Sequence, residues 1–161
     1  MNKMEYIFRK YEDKDLEYLY QTKKDLFKWY VEIAYGPWND KFQLEFFINF
    51  INEKRKYIKV VMYENKPIGM FTNYINENDE DLIDLFYIDK KYQGKGIGTQ
   101  ILKEQLKQDE ENNVNTVLQV FKDNPAKRLY EKMGFKIYDQ TEYHYKMIRK
   151  IKRGEKNDKT N

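Results

Sequence analysis

Apolar and polar positions recur along the chain at spacings that predict a run of short strands and longer helices. Residues 4–11 are rich in Tyr, Ile and Phe and predict a first strand, closed by a polar cluster at 12–15. Asp13 is the expected N-cap of a helix reaching about Tyr35, because Leu16, Leu19, Tyr20, Lys23, Phe27, Tyr30 and Val31 recur at helical spacing. Gly36-Pro37 ends that helix, and Trp38-Asn39-Asp40 starts a second one with an apolar stripe of Phe42, Phe46, Phe47, Phe50 and Ile51. Residues 57–63 and 68–75 predict strands on either side of a hairpin turn at Glu64-Asn65-Lys66-Pro67. A polar turn at 76–81 leads to a third strand at 82–88. A glycine-rich stretch at 89–98 then runs into a helix with Ile97, Ile101, Leu102 and Leu106 on one face. Residues 116–121 predict a short strand. Asn124 caps a helix with Pro125 at its first position, and Gly134 stops that helix as its C′ residue. Residues 135–138 and 142–151 close the chain as strands. The order β-α-α-β-β-β-α-β-α-β-β is that of a mixed α/β (α+β) single domain, without internal repeat or linker.

Composition removes several kinds of chemistry. The chain has no Cys and no Ser, and His144 is its only histidine. Disulfides, thiolate nucleophiles, serine triads and multi-histidine metal sites are therefore excluded, and no metal is expected. A mean hydropathy of −0.99 is offset by 17% aromatic residues, enough for a core where short aliphatics are scarce. The net charge of +3 is uneven: residues 149–161 hold six Lys/Arg against Glu155 and Asp158, a net of +4, which leaves −1 for residues 1–148. A basic, disordered tail at 151–161 behind a domain at 1–150 is the expected division. No run reaches the roughly 20 apolar residues of a membrane span, and residues 1–15 lack a signal-peptide core. The expectation is a cytoplasmic protein with neither membrane nor nucleic-acid partner.

The chemistry is concentrated in two segments. The first is Gln93-Gly94-Lys95-Gly96-Ile97-Gly98-Thr99, placed between a strand and a helix. Glycines let backbone amides approach a ligand, and a helix N-terminus favours an anion such as a pyrophosphate. The spacing is neither the Rossmann fingerprint nor a Walker loop; its ordinary counterpart is a tight turn. The second segment is Leu118-Gln119-Val120, then Asn124-Pro125-Ala126-Lys127-Arg128-Leu129-Tyr130 and Met133-Gly134-Phe135.

Together the two segments resemble the GCN5-related N-acetyltransferase (GNAT) superfamily. Gln93, Gly96 and Gly98 match its Gln/Arg-x-x-Gly-x-Gly/Ala motif, and Asn124, Leu129-Tyr130 and Gly134-Phe135 match its later motif. The resemblance implies a mostly antiparallel sheet in which two central parallel strands splay to hold acetyl-CoA, the co-substrate. Backbone groups of Phe86, Tyr87 and Ile88 would pair with the pantetheine arm like another strand, and the amides of Gln93–Thr99 would hold the pyrophosphate. Asn124 would lie near the cofactor arm, Lys127 near a phosphate, and Tyr130 would protonate the departing thiolate. An amine attacks the thioester directly, so a chain without Ser or Cys suffices. The proton acceptor is open between Asp84, Glu142, His144 and water, since Gln119 cannot take a proton. Trp29, Tyr30, Tyr35 and Trp38 flank the break between the first two helices, where the family shapes its acceptor pocket. Tyr30, Trp38 and His144 are the expected substrate contacts. Core packing is the ordinary role of such aromatics, and a structural one of His144.

The expected activity is transfer of an acetyl group to a primary amine of a small molecule or peptide within a ternary complex. Polyamines, aminoglycosides, amino acids, protein N-termini and lysines all remain open. So does a homodimer, a frequent state in the family. Two other readings stand beside it: an acyl-CoA-binding regulatory module without turnover, and nucleic-acid binding through the basic tail.

Overall fold

The computed structural model describes residues 5–152; expectations touching residues 1–4 or 153–161, including Arg153, Lys156 and Lys159 of the basic tail, lie outside the described residues. The elements are β1 (Tyr6–Lys10), α1 (Leu16–Tyr35), α2 (Asp40–Lys54), β2 (Ile58–Tyr63), β3 (Lys66–Ile75), β4 (Asp81–Ile88), α3 (Ile97–Glu111), β5 (Thr116–Phe121), α4 (Ala126–Lys132), β6 (Lys136–Gln140) and β7 (His144–Arg149). Their order is the expected one. The strands join as β1-β2-β3-β4-β5-β7-β6 in a seven-stranded, mostly antiparallel sheet in which β4 and β5 are parallel. The chain divides into two compact units, residues 1–73 with 85–98 and residues 74–84 with 99–161, so β4 contributes to both.

In the first unit, α1 is started differently from the expectation. Residues Asp13–Asp15 form a 3-10 turn, and the cap is a reciprocal pair in which Glu12 and Asp15 each bond the other's backbone. Asp15 outcompetes Asp13 because Arg9, from β1, donates to both of its oxygens at 3.0 and 2.7 Å, while the Glu12 amide donates at 2.8 Å. Burial alone would raise the Asp15 carboxyl; the Arg9 pair and the Glu12 amide outweigh it and hold it below the usual range. A carboxyl so lowered contributes stability above its unfolded value, about 3.9, and loses it as pH falls through the folded value. Asp15→Asn is expected to cost about 2 kcal/mol near neutral pH. It should also flatten the loss of stability on the acid side, both read from urea unfolding at neutral pH and at about pH 3.

The core of this unit joins Tyr11, Leu19, Phe47, Ile51, Ile58, Val60, Met70 and Tyr87, and the Tyr87 hydroxyl donates to the Leu19 carbonyl at 2.7 Å. The expected stripe on α2 is only half buried. Phe47 and Ile51 enter the core, whereas Phe42 and Phe46 are each 61% exposed and stack on one another. At about 100° per residue those five positions spread over roughly half the helix circumference, wider than one core can cover.

The β2–β3 hairpin turns on two residues, Glu64 (φ 51) and Asn65 (φ 63), tighter than the four expected. Pro67 belongs to β3, where pairing steps from Val61↔Gly69 to Met62↔Pro67 and leaves Ile68 as an extra residue. A bulge is where a strand tolerates a proline. The Ile68 carbonyl is then free of the ladder to accept the Asp89 amide at 2.6 Å.

In the second unit, β5 pairs antiparallel with β7 from Thr116↔Arg149 to Phe121↔His144. Its parallel pairing with β4 is confined to the starts of the two strands: Asp81↔Thr116, Leu82↔Val117 and Ile83↔Leu118. The expected α3 face is buried, with Ile101, Leu102 and Leu106 at 4% exposure or less. Val117, Leu118 and Val120 of β5 are buried too, together with Phe135 and Met147. A polar cluster sits beside them. Gln105 donates to Asp81 and Asp109 at 3.2 and 3.0 Å, and the Thr116 hydroxyl donates to Asp109 at 2.6 Å. At the end of the described chain, the Ile151 amide donates to Asn115 at 3.0 Å and the Lys152 amide to Glu110 at 3.3 Å. Among the described residues no helix is long and apolar enough to cross a membrane.

Candidate functional site

The glycine loop belongs to the first unit. Asp89 caps the 3-10 turn Lys90–Tyr92 by accepting the Lys91 amide at 3.1 Å, and its other oxygen accepts the Tyr18 hydroxyl at 2.7 Å. Burial first, then the Asp89 carboxylate, raise the Tyr18 phenol above its ordinary value. The Gln93 side chain turns back and donates to the Ile88 carbonyl at 2.8 Å. Gly94 (φ 79) and Gly96 (φ 88) then take left-handed conformations, and a Cβ at either would meet nothing within 4 Å. Both face open space. Lys95 is exposed, Ile97 is buried as the anchor of α3, and a Cβ at Gly98 would rest 3.8 Å from Phe86 and Ile88. The first N–H groups of α3, from Ile97 through Thr99, have no acceptor within the helix. This arrangement suits an oxyanion.

Of the strand residues ahead of the loop, Phe86 packs edge-on against Phe71 at 5.0 Å. The Tyr87 side chain is committed to the core through Leu19 and Phe27. Gly69 of β3 lies so close to this strand that a Cβ there would overlap the Tyr87 carbonyl oxygen and reach within 2.9 Å of the Ile88 Cα. Neither Gly69 nor the cap at Asp89 belongs to a motif that the sequence displays. A lone glycine inside a strand pattern is the available signal for the first.

The later motif belongs to the second unit. Asn124 accepts the Ala126 amide at 2.9 Å and so caps α4 with its side chain. At the other end, the Phe135 amide donates to the Tyr130 carbonyl at 3.0 Å and the Gly134 amide to Glu131 at 3.1 Å, with Gly134 at φ 98. That is the Schellman pattern, and the rings of Tyr130 and Phe135 meet at 5.7 Å as its apolar contact. Burial pushes the Tyr130 hydroxyl up to about 12. Lys127 lies 3.5 Å from Glu131 and 5.1 Å from the Tyr145 ring centre. Asp84 is exposed and accepts the Tyr74 hydroxyl at 2.6 Å. Glu142 is exposed. His144 stacks on Phe121 at 4.2 Å, has Nδ1 3.4 Å from the Thr141 hydroxyl, and is lowered by burial.

The aromatic group at the break between α1 and α2 is an ordered network. Trp38 Nε1 donates to the Tyr20 hydroxyl at 3.1 Å and to Asp40 at 3.0 Å, and Trp29 meets Tyr30 edge-on at 5.1 Å. The cation among these rings is the chain's own Lys23, about 6 Å from the centres of Phe27, Trp38 and Phe47.

A mixed sheet with one parallel pair, a glycine loop leading into α3 and an Asn-capped α4 define an acetyltransferase fold. The acetyltransferase (GNAT) family profile matches residues 23–135, and the chain belongs to that family. It is 35% identical over 81 residues to a probable spermine N(1)-acetyltransferase of Bacillus subtilis subsp. natto, and 33% over 81 residues to a spermine/spermidine N(1)-acetyltransferase of Bacillus subtilis strain 168. Each match covers 47% of this chain and 53% of the relative, so the chain spans about half the length of the curated relatives it matches. Among solved structures it is similar to the PaiA N-acetyltransferase of Thermoplasma acidophilum in complex with coenzyme A, at TM-score 0.68 and 22% identity over 91% of this chain and 99% of that one. That likeness is one of fold.

Proposed function

We propose that the protein transfers the acetyl group of acetyl-CoA to a primary amine. The observation that carries this reading is the pair of left-handed glycines, Gly94 and Gly96, with open space where side chains would stand, ahead of the first turn of α3, whose amides have no acceptor within the helix. Those amides suit the pyrophosphate, and a glycine backbone bordered by open space lets a phosphate approach closely. Acetyl-CoA supplies the acetyl group as a thioester open to direct attack by a neutral amine.

Tyr130 is the proposed donor to the departing sulfur. A hydroxyl pushed up to about 12 stays protonated through the neutral range, so it can offer its O–H to a thiolate but cannot act as the base. Asp84, held by Tyr74, is the proposed proton acceptor for the incoming ammonium. The named activities of the two curated relatives support a polyamine as the acceptor. Asn124 and Lys127 are the further residues proposed for the cofactor, and Tyr30, Trp38 and His144 those proposed for the acceptor.

The test is Tyr130→Phe. Turnover with an amine acceptor should fall by about 10- to 100-fold, the worth of one hydrogen bond to a charged group, while the CoA dissociation constant stays within about twofold. Free-thiol release measures the first and calorimetry the second; a chain without cysteine adds no thiol background. Equal turnover in both proteins would remove Tyr130 from the mechanism.

A further inference from the structure

Lys23 lies in α1 at a position of the apolar stripe, and the fold treats it as part of that stripe. Its Nζ stands 6.0 Å from the ring centres of Phe27 and Trp38 and 5.9 Å from that of Phe47. Among the described residues no acceptor or carboxylate pairs with it. The nearby carboxylate is already taken: Asp40 is bound by Lys24 at 3.0 Å, by the Tyr20 hydroxyl at 2.8 Å and by Trp38 Nε1 at 3.0 Å. Rings offer an ammonium only a weak partner at this distance, so the charge loses part of its water with no ion among the described residues to replace it. Burial accordingly lowers Lys23 from the usual lysine value.

We propose that Lys23 is an acylation site, its ε-amine taking the acetyl group of a thioester and leaving a neutral amide among Phe27, Trp38 and Phe47. Lysine attacks as the free amine, and a setting that disfavours the ammonium supplies more of that form. The side chain is half-buried, so the amine keeps an opening to solvent. In the reaction the nitrogen bonds to the thioester carbonyl carbon and the C–S bond breaks. The sulfur leaves as thiolate, and the proton shed by nitrogen passes through solvent to give the free thiol. The product no longer carries a charge that the rings must hold.

Lys24 is the internal reference, one residue away and ion-paired to Asp40. The full chain is exposed briefly to acetyl-CoA and, separately, to S-acetyl-N-acetylcysteamine, a thioester without the nucleotide, and peptides are mapped by mass spectrometry. Lys23 should acetylate at least about fivefold faster than Lys24 in the folded protein, and at an equal rate in denatured protein. A lead with both reagents, or with acetyl-CoA alone, supports the proposal. A lead with the small thioester alone also supports it and counts against CoA binding, so the two readings fail separately. No lead with either reagent, or a lead that persists after denaturation, overturns it.

Discussion

Gly69→Ala is expected to destabilise the protein by about 3–5 kcal/mol, the largest loss from one added methyl group at any described glycine. The Ile68 bulge draws β3 against the end of β4, where the Ile68 carbonyl takes the Asp89 amide at 2.6 Å. At that closest point a Cβ on Gly69 would overlap the Tyr87 carbonyl oxygen and stand 2.9 and 3.0 Å from the Ile88 Cα and the Tyr87 carbonyl carbon. All three are backbone atoms, which cannot swing aside as a flexible side chain would. Relief requires the strands to part, which breaks the Asp89–Ile68 bond and disturbs Tyr87, whose hydroxyl ties β4 to α1. Gly36→Ala separates this clash from backbone strain alone: Gly36 has φ 92 and ψ −169 with nothing within 4 Å of its Cβ, and should cost about 1–3 kcal/mol. Urea unfolding of both variants tests the account, and a Gly69→Ala midpoint equal to that of the parent protein would defeat it.

Gly96→Val is expected to weaken CoA binding by about 100-fold while lowering stability by only about 1–3 kcal/mol. Two effects combine. At φ 88 a β-branched residue is strained, so the loop shifts toward a conformation that turns its amides away. The added methyls would also fill the open space in which the pyrophosphate is proposed to lie. Calorimetry with CoA measures the first number and thermal unfolding the second. Unchanged CoA affinity would move the anion site away from this loop.

These two glycines show how differently the site was legible. Gly96 announces itself through its neighbours, because Gln93, Gly94 and Gly98 stand around it in a spaced motif. Gly69 stands alone in an apolar run, and its meaning depends on a strand that lies elsewhere in the chain. Asn124 and Gly134 were legible for the same reason as Gly96: their bonds run to Ala126 and Glu131, a few residues away. Pattern alone points to Asp13 as the N-terminal cap, since the Arg9 contact that decides in favour of Asp15 comes from a strand.

By itself the sequence determined whatever depends on short-range backbone geometry: the order of strands and helices, the glycine loop, the Asn cap and the Schellman end of α4. Such features need only residues within about five positions of one another, so the local pattern contains all their terms. Only the tertiary structure decided which apolar residues are covered and which charges lose part of their water. Phe42 and Phe46 remain exposed while Phe47 is buried, and Lys23 sits among three rings with no counter-ion among the described residues, because burial is a property of what packs opposite.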